Sequence, residues 1–162
     1  MGAPSGSLPA MSQVTFREAT AADLPTIVAL LADDAIARER TGYVAEPTLE
    51  VRAAFDEIAT DPNNVLVVGE RTGEVVACLQ LTFIPGLSRG GMRRALVEAV
   101  RVRADLRGQR IGEQLMEDAM ARARARGCRL IQLTTDKRRE AAHRFYARLG
   151  FEASHEGMKR TL

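Results

Sequence analysis

Residues 100–112 read V-R-V-R-A-D-L-R-G-Q-R-I-G, an apolar strand that runs through a glycine-bearing turn straight into an amphipathic helix. This junction constrains the fold more than any other stretch. A strand, a turn of unpaired backbone N–H groups and a helix N-terminus together make a cradle for an anion. Arg107 and Arg110 lie within the turn and add positive charge. The physical reading is a site for a phosphorylated ligand. The residues do not spell G-x-x-x-x-G-K-[ST] or G-x-G-x-x-G, which argues against a P-loop nucleotidase and against a dinucleotide-binding unit.

The pattern on either side alternates between period two and period 3.6. Strands are expected at 14–18, 65–68, 75–83, 92–103, 130–133 and 151–156, with 158–161 as a further candidate. Leu24, Ile27, Val28 and Leu31 form one helical stripe, capped by Thr20 or Asp23 with Pro25 in the first turn. Residues 48–59 form a second helix through Leu49, Val51, Ala54, Phe55 and Ile58. Ile111, Leu115, Met116, Ala119 and Ala123 give the helix after the cradle its buried face, and Gly127 stops it. A last helix covers 139–149 and ends at Gly150. The connection G-E-R-T-G-E at 69–74 reads as a hairpin. The segment 33–46 and the glycine-rich stretch 85–91 read as loops. The order β-α-α-β-β-β-α-β-α-β combines hairpins with a late crossover, which predicts an α/β (α+β) domain with a mixed sheet flanked by helices.

At 162 residues the chain fits one domain, expected over 13–162 after a Gly/Ser/Pro-rich leader, expected to be disordered, at 1–12 that lacks the features of a signal peptide. A net charge of +2 is low for a dedicated nucleic-acid binder. Arg122, Arg124, Arg126 and Arg129 do not form one patch, because alternate helix residues point away from each other, and Asp118 is placed to pair with Arg122. Cys78 and Cys128 lie in apolar runs without ligand spacing, so free buried thiols, no metal site and a reducing cytoplasm are expected. No apolar run reaches membrane-span length.

The hexad Arg107-Gly108-Gln109-Arg110-Ile111-Gly112 resembles motif A of the GNAT superfamily of N-acetyltransferases, Q/R-x-x-G-x-G/A, with Arg110 in place of the middle glycine. Residues 142–151, A-H-R-F-Y-A-R-L-G-F, resemble that family's motif B, A-x-x-F-Y-x-x-x-G-F. Residues 134–138 and 154–159 are also similar to the aminoalkylphosphonate N-acetyltransferase branch. The resemblance covers roughly 14–162 and implies a strongly bent sheet whose fourth and fifth strands splay around the pantetheine of acetyl-CoA. It assigns the cofactor's pyrophosphate to Arg107, Gly108 and the backbone N–H groups of Gln109, Arg110, Ile111, Gly112 and Glu113. It assigns the pantetheine and thioester to the backbone of Val100, Arg101 and Val102. On motif B it implicates Ala142, Phe145 and Arg139, the last standing where the family usually has Asn and offering a phosphate contact instead.

Two side chains are catalytic candidates. Glu98 is expected to share one strand face with Leu96, Val100 and Val102, where desolvation would raise its pKa toward that of a general base. The resemblance implies the same role, direct or through water. Tyr146 lies a quarter-turn from the core stripe of Ala142, Phe145 and Leu149, and the resemblance makes it the acid that protonates the leaving thiolate. His143 reads as a solvated helix residue. The acceptor is expected at 33–47 and 84–91, which with the adjoining strand edge hold Arg38, Arg40, Arg89, Arg93 and Arg94 and favour a small primary amine bearing an acidic group. Asp33, Asp34, Glu39 and Glu46 partly offset these arginines. A silent acyl-CoA-binding regulatory module, a protein or peptide N-acetyltransferase, and a nucleic-acid-associated protein stay open as alternatives, as does a homodimer.

Overall fold

Hydrophobic periodicity builds a five-stranded sheet with helices on both faces. A computed structural model of the protein describes residues 13–39, 42 and 44–162; the expected leader and Arg40 lie outside them. The strands are β1 (Thr15–Glu18), β2 (Asn64–Arg71), β3 (Glu74–Ile84), β4 (Arg94–Val102) and β5 (Leu130–Leu133), adjacent in that order. The first three pairings are antiparallel, and β4 with β5 is parallel. Helices α1 (Leu24–Ala32), α2 (Ala35–Arg38) and α3 (Leu49–Thr60) connect β1 to β2. A one-turn element, α4 (Ser88–Gly91), precedes β4; α5 (Ile111–Ala125) crosses from β4 to β5, and α6 (Glu140–Arg148) follows.

The β2–β3 hairpin closes on Thr72-Gly73, both with positive φ (51° and 80°), as a two-residue turn matching strand twist requires. The main core lies between the sheet and α5. Leu115, Met116 and Ala119 are fully buried against Val67, Leu79, Leu81, Ala95 and Val97. Each large side chain there contributes about 1.5–3 kcal/mol of burial. On the other face, Ile27 and Leu30 of α1 cover Val68 and Cys78, while Phe55 of α3 packs on Leu24 and Val28.

Three expectations are corrected. The polar 33–46 segment contains α2, because Asp34 accepts the Ile36 N–H at 3.0 Å and caps a helical turn. The 85–91 loop contains α4, although Arg89 and Gly90 inside it take left-handed angles. The strand expected at 151–156, and the further one at 158–161, do not form; β5 is the last strand of the sheet, and the chain after α6 is irregular and mostly exposed. The alternation there is too weak to specify a pairing without an apolar face to bury.

Candidate active site

The parallel pairing of β4 with β5 ends at Val97 with Leu133, whereas β4 runs on to Val102. The two strands therefore part beyond Val97. The cause is local: Ala99 has φ +56°, and the β3–β4 register shifts between Cys78 and Gln80. This is a β-bulge, which bends a strand and reverses its side-chain alternation. A left-handed alanine costs on the order of 1–2 kcal/mol, so the bulge is held by its surroundings. Cys78 is one of them, its Sγ 3.7 Å from the Ala99 carbonyl.

The bulge overturns the expected face. Val100 and Val102 pack on the same core as Ala95 and Val97, not beside Leu96 and Glu98. Glu98 is exposed and sits opposite Gln80. The aliphatic surroundings that would have desolvated it are absent. Arg101 is turned to the opposite side of β4 from Val100 and reaches Asp34 at 3.2 Å.

The cradle follows at once. Gly108 has φ +79° and Arg110, the residue in place of the family's glycine, has φ +63°. Residue 110 takes a left-handed angle, and an arginine bears its strain. The Arg110 side chain turns away into a bidentate pair with Glu113, both bonds 2.9 Å, so residue 110 offers the cradle its backbone. The first-turn N–H groups of α5 have no intrahelical acceptor by geometry. Gly112 keeps that turn bare: a Cβ there would lie 3.4 Å from the Phe145 ring and 3.6 Å from Val102. Gln109 accepts from Arg71 at 2.8 Å, which ties the cradle to the end of β2. Bare glycines, free N–H groups and positive charge fit a pyrophosphate.

A cavity of about 430 Å³ opens beside the parted strands, lined by Val100, Arg101, Val102, Arg107, Arg139 and the Asp33–Arg38 region. It brings five of the expected cofactor residues together. Two backbone carbonyls expected there already have partners: Val102 accepts from Arg107 at 3.2 Å and Val100 from Arg101 at 2.8 Å. Arg139 is bonded to Asp34 rather than free. Asp34 also faces Arg101 and is nearly buried; burial would raise its pKa, but the Arg139 hydrogen bond and the two guanidinium charges hold it below the usual value. Asp33 pairs with Arg107 at 3.6 Å. The sequence set Asp33 and Asp34 only against the acceptor arginines; their pairing with Arg107 and Arg139 of the two cofactor motifs was not expected.

Tyr146 is half-buried on α6, edge-on to Phe145 at 5.1 Å and to Phe151 at 5.8 Å. Burial pushes its phenol above the usual 10, and Arg101 and Arg139 pull the other way. The phenol therefore carries its proton at neutral pH and is a donor. Ala142 and Phe145 lie on the same helix, with Phe145 against α5.

The other expectations divide. Glu98 is not among the residues lining the cavity. Of the arginines assigned to the acceptor, Arg38 reaches it, but Arg94 lies at the far end of β4 and Arg93 donates to Asn63 at 2.6 Å. Of those among the described residues, only Arg38 lines the cavity. Arg122 pairs with Asp118 at 2.6 Å, His143 is exposed, and both cysteines are free and buried. Among the described residues, no group of His, Cys, Asp or Glu is arranged to hold a metal, and no helix is long and apolar enough to cross a membrane.

Comparison with known proteins decides the family. Residues 27–151 match the acetyltransferase (GNAT) family. The chain belongs to that family. It is 34% identical to the aminoalkylphosphonate N-acetyltransferase of Salmonella typhimurium over 86% of each chain. It is 30% identical to an L-methionine sulfoximine/L-methionine sulfone acetyltransferase of Pseudomonas aeruginosa, over 86% of this chain and 81% of that one. Among solved structures, a transcriptional regulator from Bacillus halodurans C-125 superposes with a TM-score of 0.87 at 49% identity, covering 93% of this chain and all of that one. The chain is a GNAT-family N-acetyltransferase with the family's mixed, helix-flanked sheet.

Proposed function

We propose that this enzyme moves the acetyl group of acetyl-CoA directly to the primary amine of a small molecule bearing an acidic group. The observation that carries the reading is the parting of β4 and β5 beyond Val97, with a cradle at one end and the half-buried Tyr146 beside it. Arg107, Gly108 and the first N–H groups of α5 bind the phosphates at the cradle. The backbone at Val100–Val102 orients the thioester and stabilises the oxyanion. Glu98, exposed on its strand, takes the proton of the attacking ammonium through water. The new N–C bond forms as the C–S bond breaks, and Tyr146 gives its proton to the departing sulfur.

The acidic group on the acceptor is supported by two findings. The Salmonella relative is an aminoalkylphosphonate acetyltransferase, and a Pseudomonas relative acts on derivatives of an amino acid. Arg38, Arg101, Arg107 and Arg139 also give the cavity an excess of arginine over Asp33 and Asp34. The free, buried cysteines support a cytoplasmic setting. The test is turnover with an amine panel, read by free-thiol release. Amino acids or aminophosphonates should outrun polyamines, aminoglycosides and peptide lysines. A clear preference for the latter ends the acidic-acceptor reading. One finding favours a second reading, a regulator that binds the cofactor without turnover: the 49% identity to the Bacillus transcriptional regulator. Thermal stabilisation by acetyl-CoA with no thiol release from any amine would establish it.

A further inference from the structure

Asp34 stands where three parts of the site meet. It caps α2 through the Ile36 N–H at 3.0 Å. Its other oxygen accepts from Arg139, the residue that precedes α6, and faces Arg101 of β4 at 3.2 Å. All three side chains are largely withdrawn from water, at 11% exposure for Asp34, 19% for Arg101 and 24% for Arg139. Two guanidinium groups this close repel each other in a half-buried site, and the carboxylate between them lets them share it. The strands part beyond Val97, so no ladder joins this end of β4 to β5. The Asp34 bridge supplies a link between β4 and the head of α6 across that gap.

We propose that Asp34 is a positioning residue for acetyl transfer: it bridges Arg101 and Arg139 across the parted strands and sets the charge that faces Tyr146. This rests on the reading of Tyr146 as the proton donor. The rings of Phe145 and Phe151 pack against the phenol, and the charges that act on it are those of Arg101 from β4 and Arg139 from the start of α6. Behind Arg101 lie Asp34 and, from β3, Cys78, whose thiol burial pushes up to about 12, so that it is neutral in the working range. The local charge is thus two arginines less one aspartate. Removing the Asp34 charge leaves both arginines unbalanced, which favours the phenolate and weakens the hold of Tyr146 on its proton.

The experiment titrates Tyr146 by ultraviolet difference absorption, in a Tyr43→Phe background that removes the other tyrosine of the sequence. It requires no turnover, so its outcome is independent of the acetyltransferase reading. Asp34→Asn should move the midpoint to lower pH by roughly one unit, the size of one charge removed from a half-buried site. Asp34→Asn with Arg139→Gln restores the original charge balance and should return the midpoint toward that of the parent. In turnover, Asp34→Asn should lower kcat roughly tenfold, with its basic limb moving the same way as the midpoint. An unmoved midpoint in Asp34→Asn, or a double variant displaced further than the single one, overturns the proposal. If the single variant does not fold, the Arg139→Gln variant should shift the midpoint to higher pH, and no shift there overturns it equally. A moved midpoint with no thiol release in the parent would uphold the charge assignment and sink the catalytic reading alone.

Discussion

Tyr146 illustrates how burial suits a side chain to one half of acid–base chemistry. A phenol edge-on to two phenylalanines keeps its proton through the neutral range and can yield it to a thiolate. Tyr146→Phe keeps the ring contacts and removes only the donor. It should lower kcat by roughly ten- to a thousand-fold with little change in KM, measured by steady-state thiol release. An unchanged kcat would assign the proton to water. Glu98 is the opposite case. Its aliphatic setting was legible in the alternation of Leu96, Glu98, Val100 and Val102, but one left-handed residue, Ala99, moved the two valines to the other face. No local sequence signal marks an alanine as a bulge. Glu98→Gln should lower kcat roughly ten- to a hundred-fold if the carboxylate works through water, measured by thiol release. An unchanged kcat would make Glu98 a surface residue of the strand.

At the scale of elements, the cradle is the part that sequence expressed most completely. Gly108 has a physical duty in its positive φ, while Gly112 lies against Phe145 with room for little more than a Cβ. Arg110 departs from the family pattern yet leaves its backbone to the cradle, because its side chain turns to Glu113. Helices α1, α3, α5 and α6 were equally legible, since their stripes and stop signals are local, whereas the one-turn α2 and α4 carry no stripe. What could not be read were contacts between distant elements: Asp34 with Arg139, Asp33 with Arg107, and the absence of a strand after α6. These depend on which surfaces the fold brings together. The cradle assignment predicts that acetyl-CoA raises Tm and that Arg107→Ala weakens this binding more than Arg124→Ala, an exposed arginine later on α5. Calorimetric titration of both variants checks it, and equal losses would remove Arg107 from the phosphate site.

For the whole molecule, the site depends on how α1 is fixed to the sheet, because α1 leads directly into Asp33 and Asp34. That attachment is made by Arg17 of β1, which donates to Asp23 at 2.7 and 2.9 Å and to Glu70 of β2 at 3.0 Å. Asp23 also accepts the Thr20 N–H at 2.7 Å, closing the turn that opens α1. The Arg17 hydrogen bond, working against burial, lowers the Asp23 pKa from 3.8 to about 2. The folded state therefore releases a proton that the unfolded chain holds more tightly. The resulting stabilisation is complete above the unfolded pKa and is lost as pH falls from near 4 toward 2. Asp34, lowered by its arginines, adds to the loss in the same direction. Asp23→Asn should cost roughly 1–2 kcal/mol at pH 7 by removing the charged acceptor of a half-exposed Arg17, the solvent on the Arg17 side screening part of the loss. The gap in stability between parent and variant should then shrink steadily below pH 4, because protonation does to the parent what the substitution has already done. Urea unfolding of both proteins at several pH values measures that gap. A gap that stays constant from pH 7 to pH 2.5 would mean that the Asp23 charge does not anchor α1 to the sheet.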